Sequence, residues 1–90
     1  MSSTEQADKS GTRLSLKTHP GDNVATVLDD RLDCIRIDGD VEIVPGVPFG
    51  HKVALRDIAE GGEVLKYGVV IGHAKSAIRQ GEHVHVHNIA

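Results

Sequence analysis

The sequence has no tryptophan, one tyrosine and one phenylalanine. So few rings leave little on which bases could stack. Lysine and arginine are scattered among acidic residues at a formal net charge of −3, with no basic cluster, which argues against nucleic-acid binding. The single cysteine, Cys34, cannot form an internal disulfide, and a cytoplasmic location fits. It lies in the alternating Asp33-Cys34-Ile35-Arg36-Ile37 and reads as a small strand residue rather than a nucleophile or ligand. No apolar run is long enough to span a bilayer, and the N-terminus lacks the basic-then-apolar order of a signal peptide. No Ser/His/Asp order, phosphate-cradling glycine loop or cysteine pair is present, so no self-sufficient nucleophilic site is encoded.

What is present is valine, isoleucine, ten glycines and three prolines within 90 residues. β-Branched residues favour a pleated, half-buried surface, and glycine and proline punctuate short segments. One small all-β domain of short strands and tight turns is expected over residues 13–90, behind a disordered tail from Met1 to Thr12. A chain of this size buries roughly 60–65% of its unfolded surface. That leaves little room for a closed substrate pocket, so a catalytic role implies a site completed on a larger partner.

Arg13-Leu14-Ser15-Leu16-Lys17 alternates as a first strand. The loop Thr18-His19-Pro20-Gly21-Asp22-Asn23 follows, with Asp22 or Asn23 suited to bonding its own backbone. Val24 to Leu28 suits a strand or one helical turn. Cys34 to Ile37 and Val41 to Val44 predict a hairpin around Asp38-Gly39-Asp40. That turn lacks the ligand order of a calcium loop. Val64 to Gly72 predicts two strands flanking Gly68, with His73 on the surface beside Gly72. Arg56 to Ala59 and Ala74 to Ile78 suit single helical turns, and no long helix is supported.

A device recurs in Val47-Pro48-Phe49-Gly50-His51-Lys52-Val53, Ile58-Ala59-Glu60-Gly61-Gly62-Glu63-Val64 and Ile78-Arg79-Gln80-Gly81-Glu82-His83-Val84. Each has an apolar anchor, a glycine able to take φ > 0, and an outgoing strand. The irregular spacing of the copies excludes a solenoid.

The last copy opens the stretch richest in chemistry, Glu82-His83-Val84-His85-Val86-His87-Asn88. In one strand, His83, His85 and His87 share a face and Val84 and Val86 the other. Same-face neighbours lie roughly 6.5–7 Å apart. A pair such as His83 and His85 can therefore close on one metal, with a third ligand from elsewhere.

Four motifs resemble the SAF domain of the altronate and galactarate dehydratase family, which includes the small (alpha) subunit of sulfolactate sulfo-lyase. They are His19-Pro20-x-Asp22-Asn23-Val24, Gly50-His51-Lys52-x-Ala54-Leu55-x-Asp57-Ile58, Lys66-Tyr67-Gly68-x-x-Ile71-Gly72-x-Ala74 and Ile78-x-x-Gly81-Glu82-His83-Val84-His85-x-His87-Asn88. The resemblance covers about Leu14 to Asn88 and implies a β-clip fold. It also implies a lyase role, removing water from a sugar acid such as altronate or galactarate, or sulfite from sulfolactate, with ferrous iron or another divalent metal. Under it, His85 and His51 are expected to be catalytic and His19, His83 and His87 to bind metal. Asn23, Lys52, Lys66, Tyr67 and Asn88 are expected to bind substrate. In single-chain dehydratases this domain leads into a much larger one; here the sequence stops two residues after Asn88. Either a larger lyase subunit carries the rest of the site, or the chain is a fragment. The alternative is a non-catalytic SAF module that grips a ligand or acts as a lid; a free-standing metal carrier is a third reading.

Overall fold

The structure, a computed structural model, describes residues 12–37 and 41–90. The expected tail falls outside the described residues up to residue 11, while Thr12 already belongs to a strand. Along the described chain run β1 (Thr12–Arg13), β2 (Ser15–Leu16), β3 (Val24–Val27), β4 (Arg36–Ile37), β5 (Val41–Glu42), β6 (Lys52–Ala54), β7 (Glu63–Lys66), β8 (Val69–His73) and β9 (His83–Val84). The described residues form no helix, so none is long and apolar enough to cross a membrane.

The strands form three sheets, ordered β1-β4-β5, β2-β3-β6-β9 and β7-β8. Among the described strands, only β1 and β4 pair in parallel. At the centre, β3 and β6 align Val24 with Ala54 and Ala25 with Val53. Alternation along a strand sends successive side chains to opposite faces. Val24 and Ala54 accordingly enter one core with Ile58, Val64, Ala74, Ile78 and Val84, while Ala25, Val27 and Val53 enter a second with Ile37, Ile43 and Val47. Each buried Val or Ile contributes about 1.5–3 kcal/mol. Cover on both faces is why Val24–Val27 is a strand although its composition also suits a helical turn.

The recurring device appears as three similar turns. Backbone bonds His51 N–H to Pro48 O (3.1 Å), Gly62 N–H to Ala59 O (2.8 Å) and Glu82 N–H to Arg79 O (3.0 Å) close them. The third-position glycines Gly50, Gly61 and Gly81 have φ of 84°, 79° and 89°, the left-handed geometry of a type II turn. The anchors Val47, Ile58 and Ile78 and the outgoing Val53, Val64 and Val84 are all buried. The last two copies face each other across an approximate two-fold, with reciprocal Ile58 and Ile78 bonds of 2.7 and 2.8 Å. That pairing replaces the helical turns expected at Arg56–Ala59 and Ala74–Ile78: both segments are bends, because their backbone groups are used across the bridge.

A β-carbon at Gly81 would collide with the Glu42 carbonyl oxygen, whereas one at Gly61 meets nothing within 4 Å among the described residues. Gly61→Ala should therefore cost about 1–2 kcal/mol for its left-handed backbone alone. Gly81→Ala should add about 1–3 kcal/mol of overpacking. Urea unfolding of the two variants measures the gap, and equal losses would refute the packing argument.

The expected first strand is split. Arg13 closes β1, Ser15 opens β2 in a different sheet, and Leu14 and Leu16 are exposed at 64% and 48%. The inward residue is Arg13, 1% exposed. The predicted hairpin is present but shorter, β4 pairing with β5 through Arg36↔Glu42 and Ile37↔Val41. Its turn residues, Asp38 to Asp40, lie outside the described residues. Cys34 is buried and unbonded to another cysteine, just before β4 rather than within it.

Candidate metal centre

The expected long C-terminal strand stops at Val84. Register pairs Lys52 with Val84 and Val53 with His83, so a longer β9 would next meet His51 and Gly50, which belong to the Pro48–His51 turn. With no ladder to join, the chain bends: Asn88 N–H donates to His85 O at 3.0 Å, and Val86 is 74% exposed rather than packed beside Val84.

The same register delivers the site. His51 ends the turn leading into β6, and His83 lies on β9 beside it, so position 85 falls opposite position 51. His51 Nδ1 and His83 Nε2 are 2.8 Å apart and share a proton in a hydrogen bond. The His51 and His85 rings stack with centroids 3.8 Å apart and 12° between planes. Ligating nitrogens of His51, His83 and His85 all lie within 4.8 Å of one another, and each residue is half-buried. His87 flanks them, its ring centroid 5.1 Å from that of His83.

Burial and neighbouring charge favour the neutral form of two of these imidazoles. Burial, then the neighbouring His51, His87 and His85, pushes the His83 pKa below the ordinary histidine value. Burial, then His51, the Lys52 ammonium and His87, does the same for His85. A neutral imidazole presents the lone pair a metal requires.

Two open clefts flank the trio. One, about 320 Å³, is lined by Lys52, Ile71, His85, Val86, Ile89 and Ala90. The other, about 260 Å³, is lined by Val44, Glu82, His83, His87 and Asn88. The apolar wall of Ile71 and Ile89 carries no local sequence signal, since β8 and the Ala74↔Ile89 bridge bring it there. A further cleft of about 550 Å³, beside Glu42 and Gln80, has no histidine among its described lining residues.

The histidines that converge are thus not the set His19, His83 and His87 expected to bind metal. His19 Nδ1 accepts Gly21 N–H at 3.0 Å, and its ring packs against Gly68 at the β7–β8 tip. Lys66 and Tyr67 occupy that tip together, Nζ lying 3.1 Å from the phenol oxygen, and neither they nor His19 lines the clefts beside the trio. Asn23 is 5% exposed and spends its amide on β7, donating to Glu63 O and accepting Leu65 N–H, both at 2.8 Å. Asp22, expected to bond its own backbone, reaches across instead to accept Gly68 N–H (2.8 Å), Tyr67 N–H (3.0 Å) and the Thr18 hydroxyl (3.0 Å). It thereby holds Tyr67 at φ 59° and Gly68 at φ 74°, the two left-handed positions of a type I′ hairpin turn.

Burial alone would raise the Asp22 carboxyl; hydrogen bonds from Gly68, Thr18 and Tyr67, with His19 nearby, outweigh it and hold the pKa below 3.8. Asp29 is lowered in the same way: burial opposes, while Leu14 N–H, Arg13 and Arg31 N–H prevail. Carboxyls lowered in the fold stabilise it above their unfolded pKa, and that stabilisation is lost as pH falls through the folded value. Stability should therefore drop with acid below about pH 3.8. Combining Asp22→Asn with Asp29→Asn should flatten that limb in urea titrations; an unchanged slope would show these carboxylates do not drive it.

Residues 13–90 match the altronate/galactarate dehydratase SAF domain. The chain is 56% identical over 48 residues to (2R)-sulfolactate sulfo-lyase subunit alpha of Chromohalobacter salexigens, over 53% of this chain and 51% of that one. It is 45% identical over 76 residues to altronate dehydratase of Escherichia coli, covering 81% of this chain and 15% of the relative. It is 39% identical over 83 residues to galactarate dehydratase (L-threo-forming) of the same organism, covering 90% and 16%. The chain thus spans about half of the sulfo-lyase subunit and about a sixth of the dehydratases.

Proposed function

Since the chain belongs to the altronate/galactarate dehydratase SAF domain family, we propose that it serves a lyase as its small subunit or N-terminal domain. The reaction removes water from a sugar acid such as altronate or galactarate, or sulfite from sulfolactate, at a metal-assisted site completed by a larger chain.

The observation that carries this reading is the convergence of His51, His83 and His85 beside open clefts. Metal–imidazole bonds of about 2.0–2.1 Å require ligand nitrogens about 3.4 Å apart, so the trio needs only a small closure. Three imidazole nitrogens suit Fe²⁺, Co²⁺ or Zn²⁺ and not Mg²⁺ or Ca²⁺, which take oxygen. When bound, such a cation supplies Lewis-acid stabilisation of the negative charge that develops on the substrate carboxylate. Lys52, in the cleft with His85, pairs with that carboxylate. His87, exposed in the cleft on the other side, is the imidazole left to carry a proton. Roles are thus exchanged relative to the sequence expectation: His51 and His85 hold the cation with His83.

The larger lyase chain covers the clefts, where Ile71 and Val86 are exposed at 40% and 74%. The name of the sulfo-lyase relative, subunit alpha, supports such a partner. A cytoplasmic location accompanies this reading, with Cys34 a free thiol.

The test is to isolate the tagged chain with its co-purifying partner and assay altronate, galactarate and sulfolactate before and after chelation. Elimination from one acid, lost on chelation, is the expected result. No elimination from any of them, or a rate indifferent to chelator, removes the proposal. If His87→Ala changes KM and leaves kcat intact, the domain grips substrate as a lid without taking part in the chemistry.

A further inference from the structure

We infer that Asn88 is a positioning residue that fixes the spacing of His83 and His85 by bridging their main chains, an inference that rests on the metal-site reading above. β9 ends at Val84, so the sheet holds His83 and does not hold His85. Asn88 supplies the missing restraint. Its Nδ2 donates to His83 O and its Oδ1 accepts His85 N–H, both at 2.9 Å, while its own N–H donates to His85 O at 3.0 Å. A backbone N–H can only donate and a carbonyl can only accept, so the two contacts fix which amide atom faces which histidine.

Both ends of the amide are committed to the backbone. This leaves Asn88 poorly suited to the substrate contact expected of it from sequence and well suited to hold two ligands in register. Its side chain braces the bend that begins where β9 ends, tying His85 back to His83. Serine at this position keeps one hydroxyl, able to donate or accept, but has neither the reach nor the second polar atom to bridge both main-chain groups. Alanine loses both bonds.

Groups that orient metal ligands from outside the coordination shell are worth roughly 10–100-fold in affinity. Asn88→Ala should weaken Co²⁺ binding by about that factor and alter the visible absorption of the bound Co²⁺, with a smaller effect in Asn88→Ser. Lys75→Ala is the control: Lys75 Nζ donates to Val86 O at 3.3 Å in the same turn and does not touch the His83–His85 bridge. It should bind Co²⁺ as the parent protein does. Thermal unfolding of the metal-free variants separates ligand spacing from loss of fold, and the serine variant answers the question if the alanine variant does not fold. Equal affinity and spectrum in the parent, Asn88→Ala and Asn88→Ser would overturn the role of Asn88 and leave the metal centre standing. A parent protein that takes up no Co²⁺ would overturn both.

Discussion

His51→Ala should lower the affinity for Co²⁺ or Fe²⁺ by more than about 100-fold, beyond the 10–100-fold attached to outer-shell partners. His51 is the middle of the trio. Its Nδ1 lies 2.8 Å from His83 Nε2, and its ring centroid lies 3.8 Å from that of His85. Without it, His83 and His85 remain with ring centroids 5.8 Å apart, two ligands near in sequence, and the described residues bring no third within ligand distance of both. Elimination by the assembled lyase should fall with the metal. His19→Ala is the informative comparison, because sequence alone places His19 among the ligands while the structure packs it on Gly68. It should leave metal affinity unchanged. Competition titrations with a chromogenic chelator read both variants; loss with His19→Ala and retention with His51→Ala would reject the trio.

Asp29→Ala should destabilise the protein by about 3–5 kcal/mol, the usual cost of leaving a buried charge without its partner. Arg13 has a side chain 0% exposed and bonds Asp29 Oδ1 through Nε at 2.8 Å. Its Nη1 and Nη2 donate to the carbonyls of Val47 and Asp29, each at 2.5 Å. The other carboxylate oxygen of Asp29 accepts Leu14 N–H at 2.9 Å. The pair thus ties β1, the start of β2 and the Val47 turn together. A small domain has about 5–15 kcal/mol to lose, and each kcal/mol shifts Tm by about 4–8 °C, so the drop should be plain in a melting curve. Adding Arg13→Met should recover part of the loss, since the orphaned charge is gone and its volume is refilled. A change below about 1 kcal/mol in Asp29→Ala would show that the two carbonyls alone satisfy the guanidinium.

Local order carries much of this protein. The three-copy turn device predicted left-handed glycines, and Gly50, Gly61 and Gly81 adopt them, because the φ demand of a tight turn is met by residue type. Valine and isoleucine with turn residues predicted an all-β chain, which the strands bear out. The four motifs predicted a family that residues 13–90 belong to.

Other features needed the assembled sheets. Alternation marked Leu14 and Leu16 as one face of a strand, but whether that face is the inner one depends on Asp29 and Val47, far along the chain; the structure buries Arg13 instead. His83, His85 and His87 alternate in sequence, yet the strand carrying them ends where its partner turns away, so His51 joins the group and His87 stands beside it. Asn23 and Asn88 look alike in sequence as polar residues suited to a ligand, and both spend their amides on backbone that only tertiary contact or a broken strand leaves unpaired. The sequence by itself determined the turns, the class of fold and a supply of imidazoles, since these follow from residue type and period. The pairing of β6 with β9 decided which imidazoles meet, because register is set by contacts between segments that neither segment encodes alone.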